Sequence, residues 1–256
     1  MKKFYYFYSI LLIIIIVCAF CFYPKKDKIA IISAMDVEAE EILDALSGKI
    51  YKHQKDFIVT IGNLGKYEIV LAKSGVGKVN SATTTQFIID KFKPNFIINT
   101  GIAGGLSSDL KVGDTVIAEK MIQHDFDLTA FGNPKGYMDT GIEPDKPTVY
   151  YSDKALIDKF IKKSNGSISK VTVATGDVFV VDKTQKENIK NEFGASVIDM
   201  ESAAIAQTAQ RNGVPVLILK TISDESDGSE KEYKENKQNT AKQAASIVID
   251  VLKSDK

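Results

Sequence analysis

Two carboxylates with a methionine between them, Asp199-Met200-Glu201, form the stretch of the sequence best suited to chemistry. A mostly apolar run, residues 195–198, precedes it, and an alanine-rich helical pattern, residues 202–211, follows it. A buried strand that leads into a helix delivers its last side chains to the carboxyl edge of a sheet, where open α/β sheets bind ligands. Carboxylates flanking a thioether there suit a polar, ribose-like ligand with one apolar side. The alternative is structural, with Asp199 or Glu201 capping the helix N-terminus.

Four further stretches place polar or backbone-exposing residues after predicted strands: 33–38 (SAMDVE), 99–105 (NTGIAGG), 175–180 (TGDVFV) and 220–224 (KTISD). Taken singly, each has a structural explanation. Glu38 could be a first-turn carboxylate, Phe179 a core residue and Asp224 a helix cap. Gly104-Gly105 could be an ordinary turn, and it lacks the GxGxxG spacing of a dinucleotide loop, so NAD binding is disfavoured.

The composition narrows the classes of function. Lys+Arg 33 balances Asp+Glu 33, so no net field recruits nucleic acid. Arg211 is the only arginine, although forked recognition of phosphate usually relies on arginine. Cys18 and Cys21 lie in the N-terminal apolar run, and His53 and His124 are the only histidines. We therefore expect no disulfide framework, no metal site and no cofactor.

The N-terminal residues, 1–26, differ from the rest of the chain. Lysines flank an almost unbroken apolar run, residues 4–23, which is a targeting signature and is long enough to span a bilayer. The sequence around Cys18 and Cys21 matches a lipoprotein signal only loosely, and the flanking charges leave the orientation open. We expect an uncleaved anchor or a lipoprotein signal that associates the protein with a membrane or exports it. Residues 27–256 then form one domain.

From residue 28 onward, strand and helix patterns alternate. Apolar runs predict strands at 29–32, 57–61, 67–72, 95–99, 112–118, 171–174, 195–198 and 214–219. Helical periodicity predicts helices at 37–46, 79–92, 155–163, 183–191, 202–211 and 233–253. The polar stretch 123–147 is long for a connection within a compact domain, which is typical of a functional or mobile loop. The alternation predicts an α/β sandwich with a mixed sheet.

Together these stretches resemble the 5′-methylthioadenosine/S-adenosylhomocysteine nucleosidases of the nucleoside phosphorylase superfamily. The resemblance runs from about residue 29 to the C-terminus and rests on the order and spacing of its motifs. These are 33–35 with Glu38, 73–79 (KSGVGKV), 99–101 with 103–106 (AGGL), 111–114 (KVGD), 124–125 with Asp127, 129–132 (TAFG), 175–177 with Phe179, Met200-Glu201 and 222–224 (ISD). It implies a three-layer α/β/α sandwich around a central mixed, twisted sheet.

The resemblance also implies how a ribose–adenine bond would be broken. Such a reaction needs assistance on both sides of an oxocarbenium-like transition state. By resemblance, Asp224 protonates the departing adenine and Ser223 orients it, while Glu38 is the general base that activates water. Glu201 grips the ribose hydroxyls, where it also stabilises developing positive charge.

Further substrate contacts follow from the same resemblance. Met35 and Met200 line the sugar, Phe179 stacks on the adenine, and the backbone of Val180 reads the polar edge of the base. A close approach of backbone to the reacting centre is implied at Ala103 and Gly104.

Two aromatic residues complete the implied site. Phe131 inserts into the 5′-substituent pocket of a neighbouring subunit, so a homodimer is expected. Tyr233 stands about where a lid aromatic is expected, although residues 225–234 match the family poorly.

Two departures bear on the reaction. Lys220 stands where many relatives have arginine, and Ile102 replaces a small polar residue; both border the side of the pocket where phosphate sits in phosphorylases. With a single arginine in the chain, and with Glu38 where a phosphate site would want positive charge, phosphorolysis is disfavoured. Water is the favoured nucleophile, and the leading hypothesis is hydrolysis of methylthioadenosine and S-adenosylhomocysteine to adenine and a thioribose. The alternatives are a purine nucleoside phosphorylase and a non-catalytic, membrane-anchored nucleoside-binding or adhesive surface protein.

Overall fold

The computed structural model describes residues 26–53, 57–139, 146–164 and 168–255. Within them lie ten strands: β1 Lys28–Ser33, β2 Ser47–His53, β3 Ile58–Leu64, β4 Tyr67–Lys73, β5 Phe96–Gly105, β6 Thr115–Gln123, β7 Val149–Tyr151, β8 Ser169–Thr175, β9 Val197–Asp199 and β10 Val216–Asp224. Six α-helices accompany them: α1 Asp36–Ala45, α2 Lys78–Phe92, α3 Lys154–Lys163, α4 Lys183–Phe193, α5 Ser202–Arg211 and α6 Glu230–Lys253. A short 3₁₀ helix spans Thr129–Phe131.

The predicted N-terminal targeting segment, apart from Lys26, lies outside the described residues. Within the part of the chain that the structure describes, no helix combines the length and apolar composition that crossing a membrane requires.

The strands form one mixed sheet with β5 and β1 near its centre. β1 pairs in parallel with both β5 and β4, and β4, β3 and β2 follow as an antiparallel meander. On the other side of β5, the sheet closes on itself. β10 pairs with β5 and β6, β6 with β8, β8 with β9, and β9 returns to β5. This ring of five strands brings the carboxyl ends of β5, β8, β9 and β10 together.

Side chains alternate between the two faces of the central strands, and each face has its own core. Ala30 and Ile32 of β1 pack in the cluster that includes α2 and α5. Ile29 and Ile31 pack in the cluster that includes α1, α3 and α6. Because successive side chains of a strand point to opposite faces, one apolar run builds both cores. The predicted three-layer α/β/α sandwich with a central mixed sheet is confirmed.

The predicted ends of β3, β5, β6 and β10 were all placed too early, and those of β5 and β10 bear on the site. β5 continues through residues 99–105 and β10 through residues 220–224, because the two strands pair in parallel from Ile97 and Val216 to Gly104 and Asp224. The backbone N–H and C=O groups of these polar residues therefore form hydrogen bonds within the sheet, and the residues do not form loops.

Two strands were not predicted. β2 is almost entirely exposed, so its sequence carries no apolar alternation, and β7 has only three residues. The long polar stretch 123–147 contains the 3₁₀ helix, and residues 140–145 of it lie outside the described part.

Candidate active site

A cleft of about 570 Å³ lies beyond the carboxyl ends of β1, β5, β8, β9 and β10, a size usual for small-molecule sites. Its lining comprises Ala34, Met35, Glu38, Val76, Ile102, Ala103, Gly104, Val178, Phe179, Val180, Ile198, Asp199, Met200, Glu201, Ser223, Asp224 and Tyr233. Every predicted site residue is in this set except Phe131, which is 82% exposed on the 3₁₀ helix.

Glu38, in the first turn of α1, is buried under the cleft with its carboxylate fully engaged. Oε2 accepts hydrogen bonds from the backbone N–H groups of Ala34 at 2.8 Å and Met35 at 3.0 Å. Oε1 accepts one from Ile102 at 2.9 Å. Burial raises the pKa of Glu38, while the charge of Lys220 and these hydrogen bonds act in the opposite direction. A buried carboxyl group held this firmly is suited to act as a general base on a water molecule in the cleft.

Asp224 ends β10, and its carboxyl group has a partner on each oxygen. Ser223 Oγ donates to Oδ1 at 2.8 Å, and Nζ of Lys186 on α4 lies 3.2 Å from Oδ2. Asp224 and Lys186 are both buried. A Cβ atom on Gly104 would lie 3.0 Å from Oδ2, so glycine on β5 leaves room for the carboxyl group.

Glu201 and Asp199 share one buried counter-ion. Lys220 Nζ lies 3.0 Å from Asp199 Oδ2 and 3.7 Å from Glu201 Oε2. Burial lowers the pKa of Lys220, but the two carboxylates outweigh burial and raise it, so the lysine stays protonated. Burial raises the pKa of Glu201 to about 7 against the effect of Lys220. Glu201 also accepts a hydrogen bond at 3.1 Å from the backbone N–H of Gly77.

The sequence offered two roles for the Asp199-Met200-Glu201 stretch, contact with a ligand and capping of the following helix, and its two carboxylates differ in this respect. Asp199 has the structural role, because its carboxylate accepts hydrogen bonds from Ser202 N at 3.0 Å and from Thr175 Oγ1 at 2.6 Å. Glu201 is the N-cap residue of α5 but makes no side-chain cap hydrogen bond. Glu201 instead accepts the hydrogen bond from Gly77, and it lines the cleft as Asp199 does.

An apolar wall faces these carboxyl groups. The rings of Phe179 and Tyr233 meet edge to face with centroids 5.1 Å apart, and Tyr233 Oη lies 3.6 Å from Met35 Sδ. Met200 lines the cleft beside Glu201. Tyr233, the weakest match to the family, therefore lies in the cleft, because α6 begins at Glu230 and returns its first turn to this site.

One buried residue of this site, Lys186, was not predicted. Its helix is rich in lysine, a composition typical of a solvated face. The signal that could have found it is spacing: Lys186 precedes Ile189 by three residues and Phe193 by seven, which puts all three on one face of α4. Ile189 and Phe193 are buried.

Within the described ranges no cluster of three or more His, Cys, Asp or Glu side chains is arranged to hold a metal ion.

The fold and the cleft define a protein of the nucleoside phosphorylase class, and the family model described as the phosphorylase superfamily matches residues 28–253. The 5′-methylthioadenosine/S-adenosylhomocysteine nucleosidase of Exiguobacterium sp. is 36% identical over 205 residues, which cover 78% of this chain and 86% of the relative. That of Bacillus velezensis is 35% identical over 239 residues, covering 88% and 98%.

A solved structure agrees with these relatives. The nucleosidase of the same name from Neisseria meningitidis, in complex with methylthio-immucillin-A, superimposes with a TM-score of 0.83 at 32% identity, covering 89% of this chain and 99% of that one. This chain belongs to the 5′-methylthioadenosine/S-adenosylhomocysteine nucleosidase family.

Proposed function

We propose that this protein hydrolyses the N-ribosidic bond of 5′-methylthioadenosine and S-adenosylhomocysteine, releasing adenine and the 5-thioribose product. The supporting observation is the pair of buried carboxyl groups, Glu38 on α1 and Asp224 at the end of β10, that line one cleft. They pack against Gly101 and Gly104, three residues apart on β5, which corresponds to a rise of roughly 10 Å along the strand. A sugar ring and a water molecule fit a separation of that order, as in inverting glycoside hydrolysis.

On the purine side, Asp224 delivers the proton that the departing adenine needs. The hydrogen bond from Ser223 to Oδ1 restricts rotation of the carboxyl group, so the other oxygen keeps one orientation toward the base. Phe179 and Val180 also line the cleft, so a flat ring can stack on Phe179 and the backbone of Val180 can read its polar edge.

On the sugar side, Glu38 takes a proton from the attacking water. Glu201, when ionised, accepts hydrogen bonds from the ribose hydroxyls and stabilises positive charge as it develops on the ring. Met35 and Met200 supply the apolar surface beside the sugar.

Water is the nucleophile because the cleft is acidic. The described residues that line the cleft include no lysine, arginine or histidine. They do include four acidic residues, Glu38, Asp199, Glu201 and Asp224. Lys220 and Lys186 are engaged by these carboxylates. A phosphate dianion would therefore meet carboxylates without a free cation, which disfavours the phosphorylase alternative.

The test is adenine release from methylthioadenosine by the full-length protein in detergent, with and without phosphate. Release in phosphate-free buffer supports hydrolysis, with Asp224→Asn as the inactive control. Release that depends on phosphate would identify a phosphorylase. Binding of methylthio-immucillin-A without release of adenine from either nucleoside would identify a non-catalytic nucleoside-binding protein.

We also propose that the protein acts as a homodimer. Phe131 is 82% exposed although it is a large aromatic residue, and Val76, Val178 and Phe179 leave apolar surface uncovered at the cleft. If a second copy inserted its Phe131 beside this surface, the ring of Phe131 and the apolar surface at the cleft would both be covered. The pocket for the 5′ substituent would then be complete. Sedimentation equilibrium of the full-length protein tests this, because a monomer at micromolar concentration contradicts it.

The apolar N-terminal segment leads us to propose that the domain is held at a membrane. Fractionation of cells that express the full-length chain, compared with a chain lacking residues 1–26, is the direct test. Equal recovery of both in the soluble fraction would contradict attachment.

A further inference from the structure

A buried lysine contacts the proposed general acid, an unusual partner for a group that must donate a proton. Lys186 is 2% exposed, and its Nζ lies 3.2 Å from Asp224 Oδ2. The same ammonium donates to the backbone carbonyl of Glu225 at 3.0 Å. Burying an ammonium is costly unless charge and hydrogen bonds compensate, so this contact is a built feature of the site.

The position of Lys186 in the fold explains how it reaches Asp224. Asp182 caps α4 by accepting a hydrogen bond from Gln185 N at 2.8 Å, which places Lys186 in the first turn. Ile189 and Phe193 hold the same face of α4 in the cluster that contains Val180 and Ile198 of the cleft. The lysine therefore reaches Asp224 from a helix anchored beside the substrate site.

The contact restricts the geometry of Asp224. The ammonium and Ser223 Oγ hold one carboxyl oxygen each, which fixes the plane of the carboxyl group. A carboxyl group fixed in this way keeps one orientation in the cleft that it lines.

We propose that Lys186 is a positioning residue for Asp224, which orients the general acid for proton transfer. This inference rests on the proposed nucleoside hydrolysis. In each turnover, Asp224 takes a proton from solvent and gives it to the adenine as the N-ribosidic bond breaks.

Other charged groups lie near Lys186 and Asp224, and a substitution of Lys186 leaves their charges unchanged. Those facing it from neighbouring elements are Glu38 on α1, Glu201 before α5, Glu232 and Tyr233 on α6, and Glu225 after β10. Lys111 pairs with Glu225, and Lys183 lies 3.9 Å from Asp227. Both of these lysines are far more exposed than Lys186, so solvent screens them.

The first experiment is the pH profile of kcat/KM for adenine release by the full-length protein and two variants. Lys186→Met keeps the length of the side chain and removes its charge, and Lys186→Arg keeps the charge. We expect kcat to fall by roughly tenfold or more in Lys186→Met, with KM little changed and the shape of the profile altered, and all three to stay in place in Lys186→Arg. An unchanged profile and an unchanged kcat in Lys186→Met would overturn the proposal.

A second measurement does not depend on turnover. Infrared difference spectra over a pH series report the carbonyl stretch of a protonated carboxyl group, and its absence in Asp224→Asn assigns the band. In Lys186→Met the frequency of the band should shift, because the carboxyl group loses the donor at Oδ2, and the same frequency in both proteins would refute the role of Lys186. If no nucleoside is hydrolysed but the band shifts as expected, the proposed function fails and the Lys186 contact stands.

Discussion

A Cβ atom on Gly101 would lie 2.3 Å from Oε1 of Glu38, a distance that real side chains do not tolerate. The strand β5 therefore passes directly against the carboxyl group of the proposed base. The next residue, Ile102, donates its backbone N–H to the same oxygen at 2.9 Å. Glycine is required at position 101 because any side chain there would occupy the space that the Glu38 carboxyl group fills.

Gly101→Ala should displace Glu38 and abolish most turnover. We expect kcat to fall by roughly 10²–10⁴-fold, the range for loss of a general base, with a free energy of unfolding lower by about 1–3 kcal/mol from overpacking. Steady-state kinetics and denaturant unfolding measure the two effects. In a Glu38→Ala background the same substitution should cost little more, and full additivity of the two losses would show that the clash lies elsewhere.

Asp224→Asn and Glu38→Gln remove proton transfer while keeping size and most hydrogen bonds. Each should lower kcat by roughly 10²–10⁴-fold. Binding of methylthio-immucillin-A, measured by calorimetry, checks that the cleft is intact. Wild-type turnover in Asp224→Asn would eliminate it as the acid, and wild-type turnover in Glu38→Gln would eliminate that residue as the base.

Lys220→Met should destabilise the protein because it leaves Asp199 and Glu201 without their buried counter-ion. Loss of one partner from a buried ion pair costs about 3–5 kcal/mol, and urea unfolding at pH 8 measures it. The matched control is Lys234→Met, since Lys234 pairs with Glu230 on the exposed face of α6 and should be almost silent. Equal effects of the two substitutions would contradict the role of Lys220.

Stability should fall as the pH rises toward and through 7, because burial raises the pKa of Glu201 to about 7. The folded protein then binds a proton that the unfolded chain releases near pH 4–5, so this contribution is complete at low pH and is lost by about pH 8. Its size is on the order of 3 kcal/mol, and the raised pKa of Glu38 acts in the same direction. Urea unfolding from pH 5 to 8 should show a shallower slope in Glu201→Gln; an identical slope would refute the assignment.

Phe131→Ala should weaken substrate binding if Phe131 completes the 5′ pocket of a second copy. We expect KM for methylthioadenosine to rise by about tenfold, the lower range for loss of a buried aromatic contact, while kcat changes little. Tyr151→Ala is the control, since Tyr151 is also an exposed aromatic residue but has no role in the proposed dimer. An unchanged KM in Phe131→Ala would argue against its insertion.

Much of the fold could be predicted because local patterns report local structure. The helix 202–211 was predicted with its observed bounds, since alanine-rich periodicity and the polar residues at its start act within a few positions. The ends of β5 and β10 could not be predicted in this way. Whether residues 220–224 form a loop or a strand depends on the partner strand, which is distant in the sequence.

The sequence alone determined which side chains could do chemistry and, through the resemblance they carry, the family and the identity of the candidate acid and base. Only the tertiary structure decided what each carboxylate does. Asp199 and Glu201 are two residues apart and both line the cleft, yet Asp199 accepts hydrogen bonds from Ser202 and Thr175, whereas Glu201 accepts one from Gly77. Lys186 likewise lies among exposed lysines in the sequence but ends beside Asp224 in the fold. Charge and burial depend on contacts between distant segments, and closure of the five-strand ring brings those segments together.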